Sequence, residues 1–198
     1  MKILIDNGHG IDTAGKCSPD GKYREWAWAR EIARMIVDEL VQRGYDAQLL
    51  VPENTDIPLP ERARRVNEIC GWNGKENTIV VSIHSNAAGN GSWMNARGWC
   101  AYTSRGKTEA DVLANFIYKE AEKIFAGHKI RTDYSDGDPD WEAGFYILTK
   151  TKCPAVLTEN FFHDNKEDVA YITSSEGKRA VAKTHADGII NYIKSKEK

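Results

Sequence analysis

No stretch of this chain stays apolar for anything like the roughly 20 residues a helix needs to cross a bilayer. The N-terminus also lacks the long apolar core of a secretory leader, because Asp6 interrupts it after Ile3-Leu4-Ile5. The chain is therefore expected to stay where it is made, to have lost a leader, or to leave by another route. An excess of one charge is missing too. The 27 Lys and Arg and 29 Asp and Glu leave a formal net charge of −2. Nothing in that balance draws the chain to nucleic acid or to an anionic membrane. Cysteine is sparse, and Cys17, Cys70, Cys100 and Cys153 include no C-x-x-C pair. Free, buried thiols made in a reducing place are the expectation. G-x-G-x-x-G and G-x-x-x-x-G-K-[ST] are both absent, which argues against a phosphate-binding enzyme.

What is present is the composition of a globular domain, 41% hydrophobic and 28% charged, over 198 residues. That length suits one domain with a sizeable core. Short β-branched apolar runs predict strands at Lys2–Ile5, Tyr45–Val51, Thr78–His84, Arg97–Thr103, Phe145–Leu148 and Pro154–Thr158. Helical periodicity predicts helices at Glu25–Arg43 (stopped by Gly44), Leu59–Asn73, Thr108–Phe125, Lys166–Ile172 and Glu176–Ile193. Between them lie a polar loop at Ile11–Arg24, a glycine-rich loop at Ala87–Asn95 and a long Asp- and Gly-containing segment at Gly127–Gly144. No repeat, low-complexity tract or linker interrupts the pattern. The expected fold is a single α/β domain with a largely parallel, mixed central sheet covered by helices on both faces.

Two of the predicted strands deliver a histidine. The opening MKILIDNGHG runs from a buried-type strand into a loop where His9 stands between two glycines. TIVVSI likewise delivers His84 into a Ser-Asn-Ala loop. One such histidine alone is most simply a turn residue, but two built alike suggest a ligand pair. Ligands in α/β folds collect outside the carboxyl ends of the strands, where both emerge. Two histidines and one carboxylate would leave a zinc ion one open position for catalysis. Glu25 is the best-placed carboxylate, since it begins the helical face that continues through Trp28, Ala29, Ile32 and Ile36. Its rival Glu31 shares a face with Arg34 and Asp38, which reads as solvent. Glu25 keeps a second reading, as a first-turn carboxylate favoured by the helix dipole.

A fourth stretch, Cys153-Pro154-Ala155-Val156-Leu157-Thr158-Glu159-Asn160-Phe161-Phe162, is an apolar strand ending in an acid. Burying that carboxylate is costly unless it is paired or functional. It is either a salt-bridge partner or a general base, and burial would raise its pKa in the direction a base near neutrality needs. Cys153 is expected to pack, His128 and His185 to be structural, and His163 to lie on the surface, with a place behind the ligands or as an oxyanion group as its other reading. Trp93, Trp99 and Trp141 read as packing residues before sugar-stacking ones.

Taken in order, these motifs resemble the zinc-dependent N-acetylmuramoyl-L-alanine amidases of the amidase-3 type. The resemblance rests on ILIDNGHG, on Glu25 in YREWAWAREIA, and on Ser82-Ile83-His84-Ser85-Asn86-Ala87. It rests also on Pro154-Ala155-Val156-Leu157-Thr158-Glu159 followed by Phe162, Asn165 and Glu167-Asp168, and on Phe145-Tyr146-Ile147-Leu148 upstream. It spans nearly the whole chain and implies one catalytic domain over residues 1–198. It further implies Zn2+ held by His9, Glu25 and His84, with Glu159 as catalytic acid/base. The implied substrate is peptidoglycan, cut between the lactyl group of N-acetylmuramic acid and L-alanine, by a chain expected to be a monomer. Asn7, Ser85 and Asn160 depart from the usual family residues, which leaves substrate preference open. A phage or prophage lysin, held in the cytoplasm until released onto the wall, fits the absence of a leader and of a wall-binding domain. A zinc peptidase or deacetylase on a related wall component remains the alternative, as does a non-catalytic wall-binding module.

Overall fold

The computed structural model describes residues 1–89 and 91–197. Six strands pair into one sheet: β1 (Lys2–Asn7), β2 (Asp46–Leu49), β3 (Thr78–Asn86), β4 (Cys100–Thr103), β5 (Trp141–Glu142) and β6 (Ala155–Phe162). Their spatial order is β2-β1-β3-β6-β4-β5. β2, β1, β3 and β6 run parallel, β4 runs antiparallel to β6, and β5 is parallel to β4. The mixed, largely parallel sheet expected from the sequence is thus present.

Residues along the central strands alternate between two cores, as the two-residue period of a strand requires. Ile3, Ile5, Ile79, Val81, Ile83 and Val156 join the larger core, while Leu4, Val80, Ala155 and Leu157 join the smaller one. Both faces are apolar, which is why these strands read as continuous hydrophobic runs. The larger core is covered by α1 (Glu25–Gln42), α3 (Glu109–Ile124), α5 (Lys166–Thr173) and α6 (Ser175–Lys196). The smaller lies under α2 (Leu59–Asn73) and α4 (Tyr146–Lys150). Trp28, Ala29, Ile32, Ile36 and Leu40 form the buried stripe of α1. α3 is opened by a reciprocal capping box between Thr108 and Asp111.

The main departure is Phe145–Leu148, expected as a strand and found as the start of a five-residue helix, α4. Both sides of β6 are already taken by β3 and β4, so no sheet edge is left there for an extra strand. Leu148 and Thr149 instead donate their N–H groups to the Phe145 carbonyl, and Ile147 and Leu148 are buried in the smaller core. A four-residue apolar run has no period long enough to tell these outcomes apart. β5 was not anticipated, and β6 runs four residues past the expected Thr158. The glycine-rich loop includes Asn90, which lies outside the described residues.

Candidate active site

The register of the sheet assembles the site. Asn7 pairs with Ile83 and His84 pairs with Glu159, so β1, β3 and β6 present their carboxyl ends side by side. His84 lies within β3 rather than in the loop beyond it, and Glu159 lies within β6. Just past them the β3–β6 register slips, so that Asn86 faces Phe162. The extra residue of β6 is taken up by a bulge, with Phe161 in the left-handed region at φ 67°.

His9 is also left-handed, at φ 61°, between Gly8 and Gly10. Each glycine answers a close approach. A Cβ on Gly8 would collide with the His84 imidazole, and one on Gly10 with the backbone of Asp56. The two rings meet edge to face with centroids 5.1 Å apart. Glu25 reaches them from the first turn of α1 and is 1% exposed. Its Oε1 accepts the Ser85 backbone N–H at 3.0 Å and lies 3.1 Å from His84 Nδ1. Its Oε2 lies 3.4 Å from His9 Nε2 and is buried without a hydrogen-bond partner. One ligand atom from each of His9, Glu25 and His84 lies within 4.8 Å of the others. Two nitrogens, one carboxylate oxygen and an orphaned buried acceptor are a donor set that fits a divalent metal ion. Glu31, the rival acid, is instead paired with Lys178 at 2.8 Å on the far side of the helix.

Electrostatics separate the two acids. For Glu25, burial works against ionisation, but the hydrogen bond and charge of His84, with His9, hold its pKa below the ordinary value. For Glu159, burial pushes the carboxyl up to about 7, against the pull of His84 and with the push of Glu25. Glu159 Oε2 is buried and unpartnered, so the salt bridge that was one reading of this residue is absent among the described residues. Burial brings the His9 pKa down to about 4, which leaves a neutral imidazole with a free lone pair at neutral pH.

Several supporting groups escaped the sequence reading. Arg62 of α2 is 2% exposed beneath the GHG loop. It bonds Asp6 Oδ1 (2.7 Å), the Asn7 carbonyl (2.6 Å), Asp56 Oδ1 (3.1 Å) and the Ile57 carbonyl (2.7 Å). A signal was available, because Arg62 shares the helical stripe of Val66 and Cys70. His163 is not a surface residue but is 4% exposed, with Nδ1 3.0 Å from Ser85 Oγ and 3.8 Å from Glu25 Oε2. Tyr23 completes that group by donating its hydroxyl to Ser85 Oγ at 2.8 Å. Under Glu159, His185 is structural as expected. Its Nδ1 donates to the Val181 carbonyl and its Nε2 accepts the Thr158 hydroxyl, both at 2.8 Å. Asn160 joins this layer by donating to the His84 carbonyl and accepting the Trp99 indole N–H. Cys70, Cys100 and Cys153 are free and buried, while Cys17 is half-buried.

A cavity of about 570 Å3 opens over His9, His84 and Glu159. Ile57, Pro58, Leu59, Phe145, Ile147 and Leu157 give it an apolar wall, and Lys16 adds a positive charge. A second cavity, of about 610 Å3, opens elsewhere between Met1, Pro154 and Tyr192. Its Glu109 is paired with Lys196, and among the described residues no potential metal ligand cluster lines it.

Residues 3–191 match the model of the N-acetylmuramoyl-L-alanine amidase family. The chain is 28% identical to the endolysin of Bacillus phage SPP1, over 99% of its own length and 67% of that protein. It is 27% identical to the N-acetylmuramoyl-L-alanine amidase CwlM of Bacillus licheniformis, over 96% and 67%. Among solved structures it superposes on the catalytic domain of CwlV, an N-acetylmuramoyl-L-alanine amidase of Bacillus (Paenibacillus) polymyxa var. colistinus. There the TM-score is 0.81 and the identity 26%, over 98% of this chain and 99% of that one. Dependence on a metal is general in the family, in keeping with the His9, Glu25 and His84 cluster. The chain belongs to the N-acetylmuramoyl-L-alanine amidase family and is an enzyme that hydrolyses amide bonds in peptidoglycan.

Proposed function

We propose that the metal is Zn2+, held by His9, Glu25 and His84, and that Glu159 is the catalytic acid/base. The observation that carries this reading is the convergence of three ligand atoms within 4.8 Å beside a buried, unpaired acid. A zinc ion held there supplies Lewis acidity, lowering the pKa of water in the site to about 7 and polarising the scissile carbonyl. His9 and His84 supply nitrogen donors, and Gly8 leaves the space that the His84 ring occupies. Glu25, fixed by the Ser85 N–H, contributes the negative charge that balances the ion. Glu159 Oε2 accepts the proton of the attacking water and returns it to the leaving amine as the C–N bond breaks. A pKa raised to about 7 suits both halves of that exchange at neutral pH.

The bond cut is the lactyl–alanyl amide, leaving a lactyl carboxylate on muramic acid and a free L-alanine amine on the stem peptide. The apolar wall and Lys16 line the cavity over these residues. With a phage endolysin among its relatives, the reading extends to a lysin that meets the wall after release. Digestion of purified peptidoglycan, with zinc measured on the same preparation, tests all of this. New N-terminal alanine, no new reducing ends, about one zinc per chain and loss of activity with a chelator are expected. New amines from a residue other than alanine would make it a peptidase, and new reducing ends a glycosidase.

A further inference from the structure

Besides its histidines, the cavity over the metal cluster is lined by two basic side chains, Lys16 and Arg62. Arg62 is already taken by Asp6 and Asp56. Lys16 is exposed, and neither acid of the site takes it. Glu25 is held by His84, His9 and the Ser85 N–H, and Glu159 Oε2 has no partner. The lysine's charge nonetheless bears on His9 in the loop after β1, on Glu159 in β6 and on His163 just past β6. Arg131, the other base whose charge reaches Glu159, lies against the Trp141 and Phe162 rings and is not part of the cavity wall. The backbone holds Lys16 in place. Lys16 (φ 50°) and Gly15 (φ 69°) are both left-handed, and the Lys16 carbonyl accepts the Glu25 N–H at 2.9 Å. The chain then bridges Cys17 to Arg24, and the Ser18 N–H donates to the Tyr23 carbonyl at 3.2 Å. The lysine is thus anchored to the first residue of α1, itself a proposed ligand, while its ammonium faces the cavity.

We propose that Lys16 is a specificity-determining residue that binds a carboxylate of the substrate, so that this chain favours an acidic stem peptide. The inference rests on the reading that the amide is cut over Glu159 and the His9, Glu25 and His84 cluster. The carboxylate meant is carried by the residue that follows the L-alanine. That residue begins one peptide unit, about 3.8 Å, beyond the alanine. A lysine's flexible four-carbon stem spans such a distance and delivers a point charge with three rotatable donors. The rest of the cavity offers an anion nothing of the kind. Ile57, Pro58, Leu59 and Phe145 are apolar, and the two acids of the site repel a third negative group. Without the lysine, a carboxylate entering here would lose hydration and gain no partner. A carboxamide at the same place carries no charge and gains less from an ammonium. Lys16 therefore separates two stem peptides that differ only in that group.

The test uses the full chain with its resident metal and two muropeptides, identical except that the residue after L-alanine carries a free carboxylate in one and the carboxamide in the other. The wild type should favour the carboxylate by about tenfold in kcat/KM, mainly through KM. Lys16→Met should lose that factor on the carboxylate substrate, stay within about twofold of wild type on the carboxamide, and keep its metal content and Tm. Lys16→Arg should restore most of the preference, and Lys16→Glu should reverse it. Raising the salt to about 1 M should shrink the wild-type preference and leave Lys16→Met unmoved. Equal turnover of both substrates by the wild type, or an equal loss on both in Lys16→Met, would overturn the assignment, since a structural role does not read the substrate's charge. Kd values for the same two muropeptides on Glu159→Gln should show the same tenfold preference, and equal values there would overturn it too. Cleavage at another bond, or cleavage without the metal, counts instead against the reading of the hydrolytic centre, and the Kd comparison still decides the role of Lys16.

Discussion

Glu25 and Glu159 are both buried carboxylates at the same end of one sheet, yet their surroundings drive them apart. Glu25, at the first turn of α1, has two imidazoles and a backbone N–H around it and is held ionised. Glu159, in β6, is buried beside the charge of Glu25 and has an oxygen with no partner, and its pKa is pushed up to about 7. Burial alone therefore does not set the role of an acid. The positive and polar groups that accompany it do. A carboxylate kept charged is fit to bind a cation, and one poised near neutrality is fit to carry a proton. Asp6 is a third case, buried but tied to the permanent charge of Arg62, and it serves structure.

Substitutions can break this contrast, and the largest effect is expected at the proposed ligands. His9→Ala and His84→Ala should lose both bound metal and hydrolysis, read by elemental analysis and peptidoglycan digestion on the same samples. Glu25→Ala should follow them. Full metal occupancy in a folded Glu25→Ala protein would erase the difference between the two acids. Glu159→Gln should behave oppositely, keeping metal and fold while the rate drops roughly 100-fold or more. Near-normal turnover in that variant would remove Glu159 from proton transfer.

The Asp6–Arg62 pair sharpens the contrast from the side of stability. Arg62→Met leaves Asp6 buried without its cation and should cost about 3–5 kcal/mol, measured by urea unfolding. His185 offers the basic counterpart. Burial lowers its pKa to about 4, from an ordinary 6.5 in the unfolded chain. Between those values the unfolded chain binds the proton and the folded one does not, so stability falls as pH drops from about 6.5 towards 4. The full contribution is about 3 kcal/mol, present above pH 6.5. His185→Gln should flatten that part of the stability–pH profile, and an unchanged slope would refute the assignment. Glu31→Ala is the smallest expected effect. It breaks an exposed pair with Lys178 and should change stability by less than about 1 kcal/mol and leave bound metal untouched.

Much of this was legible in the residues, for definite reasons. Parallel strands buried on both faces announce themselves as apolar runs, and helices such as α1 announce themselves by a stripe from Trp28 to Leu40. The histidines stood out because little else explains an imidazole at the end of such a strand. The face of α1 also distinguished Glu25 from Glu31. What was illegible depended on contacts between distant segments. Arg62 stands in sequence beside Arg64 and Arg65, and of the three only Arg62 is buried in α2. His163 looked exposed because nothing local announces the bulge at Phe161 or the Ser85 hydroxyl across from it. Phe145–Leu148 became a helix because the sheet had no free edge at β6, a fact of topology and not of propensity.

The placement of His9 just beyond β1, with His84 in β3 and Glu159 in β6, also bears on how the chain acquires activity. His9 and His84 are separated by α1, β2 and α2, and His84 and Glu159 by β4, α3, β5 and α4, so no local segment contains two of them. Helices can form early from nearby contacts, whereas parallel pairings across such separations close late, after the loop entropy has been met. The proposed hydrolytic centre is thus a property of the finished sheet, and a partly folded chain carries none of it. In refolding, metal uptake should trail the recovery of helix signal, marking the moment at which β1, β3 and β6 come into register.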